Sequence, residues 1–189
     1  MSSSASTDPP APAPAPAGRR RLLSLGVGVI LAAALWVGLT SFSAPGPTRA
    51  PAFSLPRLGQ GPRVTVPIVG EGAHEAVVVT FFGSWCGDCH TELPAFARVA
   101  REAEASGDRV KFIGVDDNDR TAAGLAFARQ SGVTFPVGRD WLSQTAPEYG
   151  IPGNPATVFI DAGGDVVRKV LGPIKPATLE AEIARIDRA

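Results

Sequence analysis

Residues 81–94 read Phe81-Phe82-Gly83-Ser84-Trp85-Cys86-Gly87-Asp88-Cys89-His90-Thr91-Glu92-Leu93-Pro94, and they hold both cysteines of the 189-residue chain. Ahead of them, Ala76-Val77-Val78-Val79-Thr80 extends Phe81-Phe82 into a continuous β-branched and aromatic run, the pattern of a strand buried on both faces. Behind them, Leu93, Phe96, Ala97, Ala100 and Ala103 recur at three- and four-residue spacing, which predicts an amphipathic helix ending near Ser106-Gly107. The cysteines therefore fall where a buried strand hands over to a helix. Backbone N–H groups are unpaired there and the helix dipole favours negative charge, so a thiolate at Cys86 is stabilised. Cys89, one turn further in, faces the domain and can attack back on a mixed disulfide. A loop this short gives a disulfide little stabilising value, so the pair points to chemistry rather than stapling.

Working outward, Phe53–Leu55 and Val64–Pro67 read as short strands and Val110–Val115 as a second buried strand. Arg120–Ser131 is predicted as a helix closed by Gly132, Phe135–Val137 as a short strand and Trp141–Tyr149 as a short helix. Ala156–Ile160 and Val166–Leu171 flank the turn Asp161-Ala162-Gly163-Gly164-Asp165, a hairpin signal, and Ala177–Arg188 is the last helix. This order gives βαβ, a helical insert, then ββα. It predicts an α/β domain over residues 53–189, with a central mixed sheet flanked by helices.

The N-terminal third is organised differently. Residues 1–21 form a Pro/Ala-rich tail, expected to be disordered and cytoplasmic, that ends in Arg19-Arg20-Arg21. Residues 22–42 carry no charge, and as a helix they would span roughly 30 Å, the hydrocarbon thickness of a bilayer. The arginines favour a cytoplasmic N-terminus, so a single-pass anchor in the cell membrane with an extracytoplasmic domain is expected. A cleaved signal peptide competes, but its apolar core is shorter, and Ser41-Phe42-Ser43 matches a cleavage site weakly. Residues 43–52, with four prolines or glycines, read as a stiff linker.

Charge excludes some classes. The chain has 18 basic and 18 acidic side chains, so nothing suggests a nucleic-acid partner. No cofactor and no metal site is expected. A zinc site is disfavoured because two of the four candidate ligands, Cys89 and His90, are adjacent. Cys86-Gly87-Asp88-Cys89-His90 does satisfy the pattern for covalent haem c attachment, which makes a haem electron carrier the rival from another class. A second axial ligand would have to come from Met1 or His74, and that motif has no reason to follow a buried strand.

The residues 81–89, with Glu92 and Pro94, Gly132–Val137 and Tyr149–Asp161, resemble the TlpA/ResA-like branch of thioredoxin-fold proteins, which includes DsbE/CcmG-related reductases of cytochrome c maturation. The resemblance implies a thioredoxin-like fold behind one N-terminal transmembrane helix. It makes Cys86 the exposed nucleophile and Cys89 the resolving thiol, and it puts Pro155 at the family's cis-proline with Asn154 pairing with the substrate chain. Glu92 matches a buried glutamate near the thiols, and Trp85 covers one side of the site. Gly87 and Asp88 lie between the cysteines as redox-tuning positions, where the Asp88 carboxylate opposes thiolate formation. The implied activity is thiol–disulfide exchange with protein substrates, as a reductase with apocytochrome c as a target and a membrane thiol-reductant transporter as electron source. An oxidant that forms disulfides in secreted proteins has the same architecture, because the sequence does not fix the potential.

Overall fold

A computed structural model describes residues 48–66 and 75–188. The tail, the apolar segment 22–42 and His74 lie outside the described residues, and among those described no helix is long and apolar enough to cross a membrane.

The described strands are β1 (Thr48–Arg49), β2 (Ser54–Leu55), β3 (Val64–Thr65), β4 (Ala76–Phe82), β5 (Val110–Asp117), β6 (Val137–Asp140), β7 (Ala156–Ile160) and β8 (Asp165–Leu171). The described helices are α1 (Gly87–Ser106), α2 (Thr121–Gln130), α3 (Thr145–Glu148) and α4 (Pro176–Asp187). Six strands form one sheet in the order β1-β8-β7-β4-β5-β6, and β2 and β3 form a separate hairpin-like pair. β4, β5 and β6 run parallel, while β7, β8 and β1 are antiparallel to their neighbours, so the sheet is mixed. This is the α/β architecture expected.

β4 lies at the sheet's centre, and all seven of its residues are buried. Its alternation sorts two cores. Val78 and Phe82 join Leu93, Phe96 and Ala100 of α1, Phe127 of α2 and Leu179, Ile183 and Ile186 of α4. Val77, Val79 and Phe81 face Phe53, Val64, Ala146 and Tyr149 on the other side. Helices thus cover both faces, unevenly: three long ones pack on one face, while the short α3 and the β2–β3 pair close the other. The aromatic rings of Phe96, Phe112 and Phe135 meet at 5.7–6.3 Å, edge-on or tilted, in the first core.

Several expectations shift. The segment read as linker already enters the sheet, because Thr48–Arg49 pairs with Val166–Asp165 of β8. β5 extends two residues past the expected end at Val115 and buries Asp116 and Asp117. The strand expected at Phe135–Val137 begins at Val137 instead and runs to Asp140. The helix expected over Trp141–Tyr149 is only Thr145–Glu148, because Asp140 accepts from the backbone N–H groups of Gln144 and Thr145 and starts it late. Trp141 and Leu142 are left exposed. α1 ends as predicted at Gly107, whose φ of 83° closes the last turn with N–H bonds to Ala103 and Glu104 carbonyls.

Candidate active site

Cys86 is the N-cap of α1, in extended backbone (φ −85°, ψ 111°), and its Sγ accepts from the N–H of Cys89 at 3.2 Å. The two cysteines are joined as a disulfide. The strand-to-helix hand-over explains the placement: β4 ends at Phe82, and the Cys86 N–H closes a turn on the Gly83 carbonyl. The expectation of an exposed nucleophile needs correcting for this state. Cys86 is 5% exposed and Cys89 1% with the two sulfurs bonded to each other. Cys86 remains the more open of the two. Gly87 and Asp88 are exposed, and a Cβ at Gly87 would meet nothing within 4 Å, so packing alone does not demand glycine there.

Glu92 follows Cys89 by three residues and therefore shares its helix face. It is 6% exposed, and its Oε2 accepts from the Ile174 N–H at 2.6 Å. Burial pushes its carboxyl up to about 7; the Ile174 hydrogen bond opposes the shift and the Asp88 charge adds to it. Thr80 and Thr157 pair across β4 and β7 and point to the same face as Val78 and Phe82. Both are fully buried and neither Oγ1 has a hydrogen-bond partner, which leaves polar atoms in the core that α1 covers.

Trp85 is 56% exposed, and its indole N–H is shared between the carbonyls of Asp117 and Asn118 at 3.2 and 3.1 Å. The ring lies over Gly83, where a Cβ would come within 2.5 Å of the indole nitrogen. His90 is exposed, its Nε2 is 2.9 Å from the Ser84 carbonyl, and its ring lies 4.4 Å from that of Phe127.

Pro155 is buried, the Asn154–Pro155 peptide is cis, and β7 begins directly after it beside β4. The Ala156↔Phe81 pairing brings this loop to the end of the sheet that carries the cysteine loop. Asn154 donates from Nδ2 to Asp117 Oδ2 at 3.0 Å.

Sequence reasoning missed the acidic run Asp116-Asp117-Asn118-Asp119. Asp117 bonds to Asn154 and, through Oδ1, accepts from Ser143 Oγ at 2.6 Å. Asp119 accepts from the Ser84 N–H at 2.6 Å and from Ser84 Oγ at 3.0 Å. The end of β5 thus ties the cysteine loop to the proline loop. The signal was present as an acid-rich stretch directly after a buried strand, but strand length is read poorly at such polar ends.

A mixed sheet with a disulfide at the start of the helix that follows its central strand, and a proline loop at the same end of the sheet, defines a thioredoxin-like protein with a redox-capable dithiol. The chain belongs to the AhpC/TSA family, whose family model matches residues 47–169. It is 29% identical over 112 residues to the thiol-disulfide oxidoreductase ResA of Bacillus thuringiensis (strain Al Hakam), an alignment covering 59% of this chain and 64% of that protein. It is 31% identical over 98 residues to the ResA of Bacillus subtilis (strain 168), covering 52% and 54%. The chain thus spans under two thirds of the length of these curated relatives. Among solved structures it resembles MTB DsbF, seen in mixed oxidised and reduced forms, with 26% identity, TM-score 0.60 and coverage of 71% of this chain and 94% of that one. A thioredoxin family protein from Chlorobium tepidum TLS, at 23% identity, shares the fold with TM-score 0.64, over 77% and 99% of the two chains.

Proposed function

We propose that this chain is an extracytoplasmic thiol–disulfide oxidoreductase that reduces protein disulfides through Cys86 and Cys89. The observation that carries this reading is the Cys86–Cys89 disulfide at the start of α1, with Cys86 Sγ held by the Cys89 N–H. In the dithiol form, the Cys86 thiolate attacks one sulfur of the substrate disulfide and expels the other as a thiolate, forming a mixed disulfide. The Cys89 thiolate then attacks Cys86 Sγ and the second substrate sulfur leaves. Two electrons pass to the substrate and the enzyme ends as the disulfide. Glu92, with its carboxyl titrating near 7 on the Cys89 face, takes the Cys89 proton as that thiol becomes a nucleophile. Trp85 and the backbone at Asn154 flank the incoming chain, Pro155 packs against the pair, and Gly87 leaves the approach open while Asp88 tunes the thiols.

The uncharged segment 22–42 behind Arg19-Arg20-Arg21 supports a membrane anchor with the domain outside the cytoplasm. Electrons for re-reduction then come from a membrane thiol-reductant transporter, and the disulfide between the CxxC cysteines of apocytochrome c is the favoured substrate. The test is the equilibrium reduction potential of the full-length chain, poised against glutathione or dithiothreitol. A value below roughly −230 mV supports a reductase; a value above about −150 mV means that the protein oxidises secreted thiols instead.

A further inference from the structure

Asp116 is the least explained ionisable group in the described structure. It is fully buried, and neither carboxyl oxygen meets a hydrogen-bond donor. A buried carboxylate without a donor is costly, so such a group takes up a proton or finds a partner. Room has been made for it: a Cβ on Gly124 of α2 would lie 2.3 and 2.6 Å from its two oxygens. The side chain within its hydrogen-bonding reach is the Asp119 carboxyl. Asp119 is itself occupied as an acceptor, from Ser84 N, Ser84 Oγ and the Arg120 N–H. Two carboxylates repel, whereas a carboxylic acid and a carboxylate bond, so one proton on Asp116 turns that repulsion into a hydrogen bond to Asp119.

We propose that Asp116 and Asp119 share one proton and that this proton fixes the Ser84–Trp85 segment beside Cys86, making Asp116 a positioning residue for the reactive disulfide. The chain of contacts is short. The shared proton would link Asp116 to Asp119, Asp119 accepts two bonds from Ser84, and Trp85 and Cys86 follow Ser84 directly. The charged surroundings agree with a proton resting on Asp116. Burial first, then the Asp119 and Asp117 charges, push its carboxyl up to about 8, against the pull of Arg139. Arg139 stands opposite Asp116 in the β5–β6 register and donates to Thr121 Oγ1 of α2. From β4 the partner in register is Phe82, α2 brings Gly124 and the cap residue Arg120, and the α1 imidazole of His90 lies tilted against Phe127. When Asp116 ionises, the pair becomes doubly negative and the hold on Ser84 weakens.

The inference deepens the proposed function by naming what holds the redox loop, and its value to catalysis rests on that reading. Its test does not depend on turnover. In the oxidised full-length chain the cysteines are silent to pH, so Trp85 emission can be followed from pH 6.5 to 9.5 in a Trp36→Phe/Trp141→Phe background. A step in emission centred near pH 8 is expected. Asp116→Asn, whose amide donates to Asp119 at every pH, is expected to abolish it. Should that variant not fold, Arg139→Gln serves, because losing the cation must move the midpoint to higher pH. No step in the parent, a step that survives Asp116→Asn, or a midpoint unmoved by Arg139→Gln overturns the proposal. Failure of the chain to reduce any protein disulfide would instead overturn the function above and leave the emission result standing.

Discussion

Glu92→Gln separates the burial of a carboxyl from the rest of the domain's stability. Glu92 is 6% exposed, and its pKa rises from the ordinary 4.5 to about 7, burial being the main cause. The folded protein therefore binds the proton more tightly than the unfolded chain. The stability this contributes is complete below about pH 4.5 and is lost as pH rises through about 7. A shift of that size corresponds to about 3 kcal/mol, at roughly 1.4 kcal/mol per unit. The glutamine keeps a carbonyl oxygen for the Ile174 N–H but carries no charge at any pH. Urea unfolding of the oxidised full-length chain, parent against variant, should show the parent losing about 3 kcal/mol relative to the variant between pH 4.5 and pH 8. A difference that stays constant to within about 0.5 kcal/mol would mean that Glu92 ionises freely and that its place in the proton chemistry is wrong.

Cys89→Ser should stall exchange at a mixed disulfide through Cys86, visible as a covalent adduct on non-reducing gels, whereas Cys86→Ser should form none; an adduct with Cys86→Ser reverses the roles. Gly83→Ala should push the indole of Trp85 off its two carbonyls, given a 2.5 Å approach to the new Cβ, and raise KM for protein disulfides several-fold with kcat little changed; an unchanged KM removes Trp85 from substrate binding. Gly124→Ala gains about 1 kcal/mol of helix propensity but drives a methyl into the Asp116 carboxyl, so a net loss of about 1–2 kcal/mol in urea unfolding is expected, and a net gain would show that Asp116 has room to swing aside.

The cysteine loop was legible because its signals are local. A buried β-branched run, two cysteines and an amphipathic repeat each mark one element, and β4 and the end of α1 fall where those marks lie. What stayed hidden depends on pairing between distant residues. Nothing in Thr48–Arg49 by itself announces a strand; its ladder exists because β8 offers an edge. The expected strand stopped at Val115 because aspartate is depleted in strands, whereas Arg139 and Asp140 of β6 pair with Asp116 and Asp117 in register and carry them into the sheet. Asp119 could not be connected to Ser84 from sequence, since 35 residues separate them. The loop before Pro155 was legible by resemblance, but its tie to Asp117 was not.

The N-terminal stretch of the described domain has a consequence for how copies of this protein meet. β1 lies on the outer edge of β8, and residues 56–58 run along the outer edge of β6, where the Leu58 N–H bonds to the Val137 carbonyl and the Arg139 N–H to the Pro56 carbonyl. One continuous segment therefore pairs with the start of β8 at one side of the sheet and with β6 at the other. A chain trimmed to residue 59 would bare unpaired backbone groups at Asp165–Val166 of β8 and along Val137–Arg139 of β6. Such rims would invite strand-to-strand joining between molecules, so this stretch also works as a guard against self-association.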